Sequence, residues 1–234
     1  CHDSFRLTGG HCAELKKSGP IGAVKTSKRG NSMHFMKWGF AILLVAGLTG
    51  CQSSMMVRSP ANAAAPTPAP GKALVVFMRP SSFGGAIQSS VYDTHDSADQ
   101  FIGIVSSKDK IGYQAEPGDH LFMVIAENAD FMIAHLDAGK TYYALIKPRV
   151  GVWKARFSLI PIHNDAGAQY STRSEDFSKW MSATSWVSVT PQAEQWYTEH
   201  AADIRAKKLD YMKKWDKASV QQKEELTLKA DDGQ

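Results

Sequence analysis

The chain has too few cysteines for a disulfide framework. Only Cys1, Cys12 and Cys51 occur in 234 residues. Cys1 and Cys12 stand with His2 and His11 in an irregular opening stretch that lacks the spacing of a zinc ribbon or finger. Stability must therefore come from a hydrophobic core. Catalytic signatures are missing too: there is no G-x-S-x-G elbow, no H-E-x-x-H pair and no G-x-x-x-x-G-K-[ST] phosphate loop. No catalytic residue, metal ligand set or cofactor is assigned on this basis. An excess of basic charge over the body of the chain is also lacking. The formal charge is +4, but residues 1–50 hold seven Lys and Arg against two acids, leaving 20 against 21 in the remainder. Nucleic-acid binding, which needs a basic excess on the folded part, is not expected.

What is present is organised around Phe35–Cys51, FMKWGFAILLVAGLTGC. Lys37 precedes an apolar run from Trp38 to Leu48, which ends in small residues and a cysteine, the three-part layout of a secretory signal peptide. The run is far short of the ~20 apolar residues that cross a bilayer, which counts against a transmembrane helix. The tetrad Leu48-Thr49-Gly50-Cys51 resembles the lipobox of bacterial lipoproteins. That resemblance implies cleavage after Gly50, a diacylglycerol on the Cys51 sulfur, and Cys51 as the mature N-terminus anchored in the membrane. In such proteins an Asp directly after the lipid cysteine signals retention in the inner membrane. Here Gln52 stands at that position, which favours the periplasmic face of the outer membrane. With a start at Met33 or Met36, residues 1–35 form an upstream segment outside the mature protein and residues 36–50 the signal peptide.

Residues 51–71 follow as a lipidated, Ala/Pro/Ser-rich tether, poor in large apolar side chains after Val57 and stiffened by Pro66, Pro68 and Pro70. From 72 to 162 the chain has short apolar or alternating runs broken by Gly, Pro, Asp and Asn, which predicts a mainly β domain. Eight strands are expected: 73–78, 87–92, 101–105, 111–115, 120–126, 131–136, 142–147 and 153–160. The turn signals between them are Glu116-Pro117-Gly118-Asp119 and Asp137-Ala138-Gly139-Lys140. Short strands at this spacing suggest a small antiparallel β-sandwich.

Four motifs in this order, Arg79-Pro80-Ser81-Ser82-Phe83, Phe101-Ile102-Gly103, Glu116-Pro117-Gly118-Asp119-His120 and Ala138-Gly139-Lys140-Thr141-Tyr142-Tyr143, resemble an uncharacterised family of bacterial lipoprotein β-domains. The resemblance implies a fold and an envelope address, and no activity. The chain departs from that pattern where the family has a tight Asn-Gly turn; here the longer polar loop from Asp93 to Asp99 takes its place.

After a linker at 163–173, residues 174–218 are expected to be helical. Ser174 is the N-cap of a short helix carrying Phe177, Trp180 and Met181, and Thr190-Pro191 are N-cap and N1 of a longer one. The longer helix has an apolar face of Trp196, His200, Ile204, Tyr211 and Trp215. Opposite lie Arg205, Lys207, Lys208, Lys213, Lys214 and Lys217. The apolar face is expected to dock on the chain's own sandwich, and the basic face to be solvated or to meet anionic headgroups or wall polymers. Residues 219–234 are expected to fray as a polar tail.

Among side chains that could carry chemistry, Asp93, His95, Asp96 and Asp99 form the one acidic constellation. It is a weak cation site at best, with too few oxygen ligands for calcium and no turn glycine. His120 and His135 fall in predicted strands and read as half-buried strand residues. Trp153, Trp180, Trp186, Trp196 and Trp215 could stack on sugars, but periodic aromatics on a helix more often form core. The expectation is a lipid-anchored envelope protein of binding or structural role, with an envelope protein or cell-wall polymer as partner. The alternatives are a carbohydrate-binding module or a hydrolase-like enzyme whose residues converge only in three dimensions.

Overall fold

A computed structural model describes residues 55–95, 98–149 and 156–234. The lipobox, the signal segment, residues 1–35, Gln52, Asp96 and Trp153 lie outside the described residues. Eleven strands form two sheets: β1 Met56–Arg58, β2 Ala73–Arg79, β3 Ser90–Asp93, β4 Gln100–Ile104, β5 Asp109–Ala115, β6 Gly118–Ile125, β7 Ala129–Leu136, β8 Thr141–Arg149, β9 Arg156–Ile162, β10 Ser185–Val189 and β11 Thr227–Leu228. The helices are α1 Glu175–Ser182, α2 Pro191–Asp216 and α3 Val220–Glu225, with a 3-10 turn at Ala230–Asp232. One sheet runs β1-β10-β5-β2-β8-β9, the other β11-β7-β6-β3-β4.

The mainly β, sandwich-like architecture is as expected, but there are eleven strands rather than eight, and the sheets are mixed. β2 pairs with β8, β10 with β5 and β11 with β7 in parallel. The three extra strands come from stretches read as tether, helix and tail. β10 lies inside 174–218 because Ser185-Trp186-Val187-Ser188-Val189 is rich in β-branched and aromatic residues and is followed by Thr190-Pro191; it covers the edge of β5, with Val187 buried between the sheets and Trp186 packed on the outer face. β1 pairs with β10, and Met56 enters the core. The proline segment behind β1 is tied down as well, since the Gln114 amide accepts from Ala69 N–H at 2.9 Å and donates to the Thr67 carbonyl at 2.9 Å. Residues 55–71 are thus a strap on the domain rather than a free tether. The tail does not fray: Ser219 and Gln222 close a capping box on α3, β11 adds to β7, and Gln234 and Thr141 exchange both backbone hydrogen bonds.

Three apolar layers hold these elements. Between the sheets, Phe77 packs edge-on to Phe122 at 5.1 Å, among Val75, Met132, Ile146 and Leu159. Outside the six-stranded sheet, Phe177, Trp180 and Met181 of α1 cover Leu74, Val76 and Met78. β2 is therefore buried on both faces, which is why it reads as a continuous apolar run rather than an alternation. Outside the five-stranded sheet, α2 lays Trp196, Tyr197, Ile204, Tyr211 and Trp215 against Tyr92, Met123, Ile125 and Phe131, so the expected self-docking is observed. Its N-cap is Thr190, whose hydroxyl accepts from Ala193 N–H, and Pro191 is N1. The basic face is only partly solvated. Lys207 donates to the Ala126 carbonyl at 2.5 Å, and Lys208 pairs with Asp99 at 2.5 Å, so these long stems lie back over the sheet.

Candidate functional site

Of the acidic loop, the described residues Asp93, His95 and Asp99 each have their own partners. Asp93, buried at the end of β3, has Oδ2 2.6 Å from His120 Nδ1 and accepts from the Tyr113 hydroxyl at 3.2 Å. Asp99 faces the other way, to Lys208, and its carbonyl accepts from Tyr197. His95 is exposed, its ring 6.1 Å from that of His120, and donates its backbone N–H to Asp93. Among the described residues no group of three or more His, Cys, Asp or Glu side chains is placed to hold a metal. His120 Nε2 meets the Glu116 carbonyl at 2.8 Å. Both ring partners are acceptors, so the imidazolium, with two N–H donors, satisfies them together. The ring stacks on Phe122 at 5.5 Å and clasps β3, β6 and the turn before β6. His135 pairs with Asp119 at an exposed edge, and that bond holds the Asp119 carboxyl below its usual range.

The motifs singled out in the sequence have structural tasks. Arg79 is fully buried; it donates to the carbonyls of Gly84 at 2.6 Å and Ile87 at 2.7 Å, and its guanidinium lies 4.3 Å from the Phe157 ring centre. Burial lowers its pKa, opposed by Asp109. Gly103 carries a bulge: Val91 faces Gly103 while Tyr92 faces Phe101, so Ile102 is the extra residue, and φ at Gly103 is +152°. Tyr142 accepts from Asp137 N–H at 2.8 Å and donates to the Ala230 carbonyl at 3.1 Å, which also receives Lys140 Nζ at 2.9 Å. The Ala138–Tyr143 motif therefore turns the chain and fastens its tail. Lys110 is likewise occupied. Its ammonium meets the carbonyls of Met181 and Thr184 at 2.6 and 2.7 Å, closing the C-terminal end of α1, and burial lowers its pKa.

Charge collects instead in a cleft of about 840 Å³ between β7, the outer end of the β8–β9 pair, the last turn of α2 and α3. Arg149 and Arg156 are direct partners across the β8–β9 ladder, and both are exposed and line the cleft. Directly opposed residues project to the same face, so the two arginine side chains start as cross-strand neighbours, a placement of like charges that destabilises a sheet, and the Arg149 guanidinium is turned to Asp130 and to the Phe157 carbonyl, both at 3.5 Å. The facing wall contributes Lys214 and Lys217, one turn apart on α2 and its cap, with Tyr211 and Trp215 between the helix and β7. The carboxylates in the cleft are Asp130 and Glu225. Asp130 lies 3.5 Å from Arg149 and accepts from Leu159 N–H; burial raises its pKa against the pull of Arg149. Glu225 accepts from Gln221. Among the described residues Arg156 and Lys217 have no carboxylate within ion-pair distance.

The sequence reading missed this cleft. Arg149 and Arg156 flank a hairpin whose register is set only by pairing, and the lysines come from a helix some sixty positions later. The one legible signal was the basic face of α2, of which Lys214 and Lys217 are the members that reach the cleft. A scan against protein-family models finds no match for the chain, and a search of the curated proteins finds none either.

Proposed function

We propose that this chain is a lipid-anchored protein of the bacterial cell envelope, held at the periplasmic face of the outer membrane by a diacylglycerol on Cys51, and that its folded part is a non-catalytic binding module. The anchor reading is supported by the Leu48-Thr49-Gly50-Cys51 pattern behind a basic residue and an apolar run. The resemblance of the four motifs to lipoprotein β-domains points to the same address. The binding reading is carried by one observation. Two arginines opposed across a strand pair share a cleft with two lysines from the end of α2 and its cap, on a body whose charges nearly balance as a whole. Such a cluster lowers stability on its own, and an anionic ligand offsets the repulsion.

The test is photo-crosslinking in intact envelopes with benzoylphenylalanine at Lys217, in the cleft, and at Leu209, which is 57% exposed on α2 and does not line it. Adducts at position 217 and none at 209 are expected. Equal adducts at both, or none at 217, overturn the cleft as the binding site.

A further inference from the structure

We propose that the cleft binds an acidic oligosaccharide, with carboxylates on the Arg149–Arg156 pair and sugar rings against the wall formed by Tyr211 and Trp215. This deepens the preceding proposal and rests on the cleft being the binding site.

The size of the cleft is the first argument. At about 840 Å³ it falls in the range that takes molecules of several rings, well beyond what a lone oxyanion fills. Arginine chemistry is the second. A guanidinium offers a planar fork of N–H donors that matches a carboxylate, and two of them in direct cross-strand register present two such forks on one face. Asp130 approaches Arg149 at 3.5 Å and leaves Arg156 unmatched. Third, half-buried Tyr211 and Trp215 line the cleft among its cations, with Lys214 Nζ 5.0 Å from the Tyr211 ring centre and Lys223 Nζ 5.6 Å from that of Trp215, so aromatic rings and cations stand together where a sugar ring with an anionic substituent would lie.

Shape and position separate this ligand from a lipid surface. The cleft is concave, and it lies at the C-terminal end of α2, a helix of 26 residues spanning about 39 Å. The chain enters the domain at the opposite end of that helix, where the Met55 carbonyl accepts from the Thr190 hydroxyl at 2.8 Å. A ligand in the cleft is thus met a helix length away from the point at which the domain is joined to its N-terminal segment.

The probe is tetragalacturonate, titrated into the purified full-length chain while tryptophan emission is followed, with maltotetraose as a neutral control of the same length. Saturable quenching by tetragalacturonate is expected, weakened by added salt and by about tenfold or more in Arg156→Glu, as for a lost charge-assisted contact. Maltotetraose should leave the emission unchanged. The proposal is overturned if wild type and Arg156→Glu respond alike, or if inorganic phosphate at equal charge displaces the saccharide completely, since the site would then read charge alone. Binding to phosphatidylglycerol vesicles that is lost in Arg156→Glu, without saccharide binding, would assign the cleft to a membrane and also overturn it. If tetragalacturonate fails while the envelope adduct at position 217 forms and disappears in Arg156→Glu, the saccharide class falls and the cleft remains the site. If the adduct is absent as well, both proposals fall.

Discussion

His163 Nδ1 lies 2.8 Å from Asp232 Oδ2, across 69 positions of the chain. The same carboxylate accepts backbone N–H bonds from Asn164 at 2.9 Å and Lys229 at 2.8 Å, so the tail is buttoned to the connection that follows β9. Burial pushes the Asp232 pKa up, but the His163 bond and the two backbone donors outweigh it, and the net shift is downward. A carboxyl depressed in the folded state stabilises the fold above its unfolded pKa, and that contribution is lost as pH falls through the folded value. The thermal midpoint of the wild type should therefore exceed that of Asp232→Asn near neutrality, and the two should converge below about pH 4. A constant gap between the two curves down to acid pH would contradict this assignment.

Gly103→Ala should be among the more harmful single-methyl additions to the domain. The residue sits at φ +152°, and a Cβ built there meets the Ile111 Cδ1 at 2.5 Å. Strain and overpacking together should lower stability by about 1 to 3 kcal/mol, read as a shifted urea midpoint with an unchanged slope. By contrast, Gly139→Ala has space around its Cβ and suffers only from its φ of +79°. The smaller loss should be at Gly139.

Arg79→Lys should behave as a null rather than as a conservative change. One ammonium on a linear stem cannot reproduce the fork that reaches the Gly84 and Ile87 carbonyls while lying over Phe157. Losing donors to buried carbonyls costs about 1 to 3 kcal/mol each. Limited proteolysis should show new cleavage between residues 82 and 89 in both Arg79→Lys and Arg79→Met, with little difference between them. Protection of that segment in Arg79→Lys would show that charge alone suffices.

Cys51→Ser tests the address. Without a thiol no thioether to diacylglycerol forms, so incorporation of labelled palmitate should vanish and the product should appear in the soluble fraction or remain unprocessed. Labelled variant protein that resists a carbonate wash would refute the lipobox reading.

Local chemistry decided which parts of the molecule were readable in advance. The caps Ser174 and Thr190 were legible because an N-cap is a short-range arrangement of a hydroxyl and an N–H three residues on. The turns at Pro117-Gly118 and Gly139 were legible for the same reason. β1, β10 and β11 were not, since two to five residues such as Met56–Arg58 or Ser185–Val189 have no preference strong enough to declare a strand until a partner edge presents itself. Parallel pairing was hidden for the same cause: the strand that β2 meets, β8, starts more than sixty positions later. As for the candidate sites, the acidic loop is visible as a cluster in sequence, while of its described members Asp93 turns toward His120 and Asp99 toward Lys208. The basic cleft reversed that pattern, being dispersed in sequence and assembled by the β8–β9 register and the end of α2.

The strap formed by residues 55–71 also sets how the domain bears load. A pull on the chain before Met55 meets β1 first, where three residues lie antiparallel to β10, the Met55 carbonyl accepts twice from Thr190, and Ser59 N–H reaches the Trp186 carbonyl. Tension along β1 stretches these bonds side by side rather than one after another, so the short strand holds as a shear joint. When it yields, the next ties are the Gln114 bonds to Thr67 and Ala69, and behind them β2, buried along its whole length in the middle of the sheet. Peeling residues 56–72 would release about 60 Å of extended chain before the sandwich itself is strained. Under a pull the strap would thus let out chain in stages, β1 first and the Gln114 ties second, before load reaches the sheet.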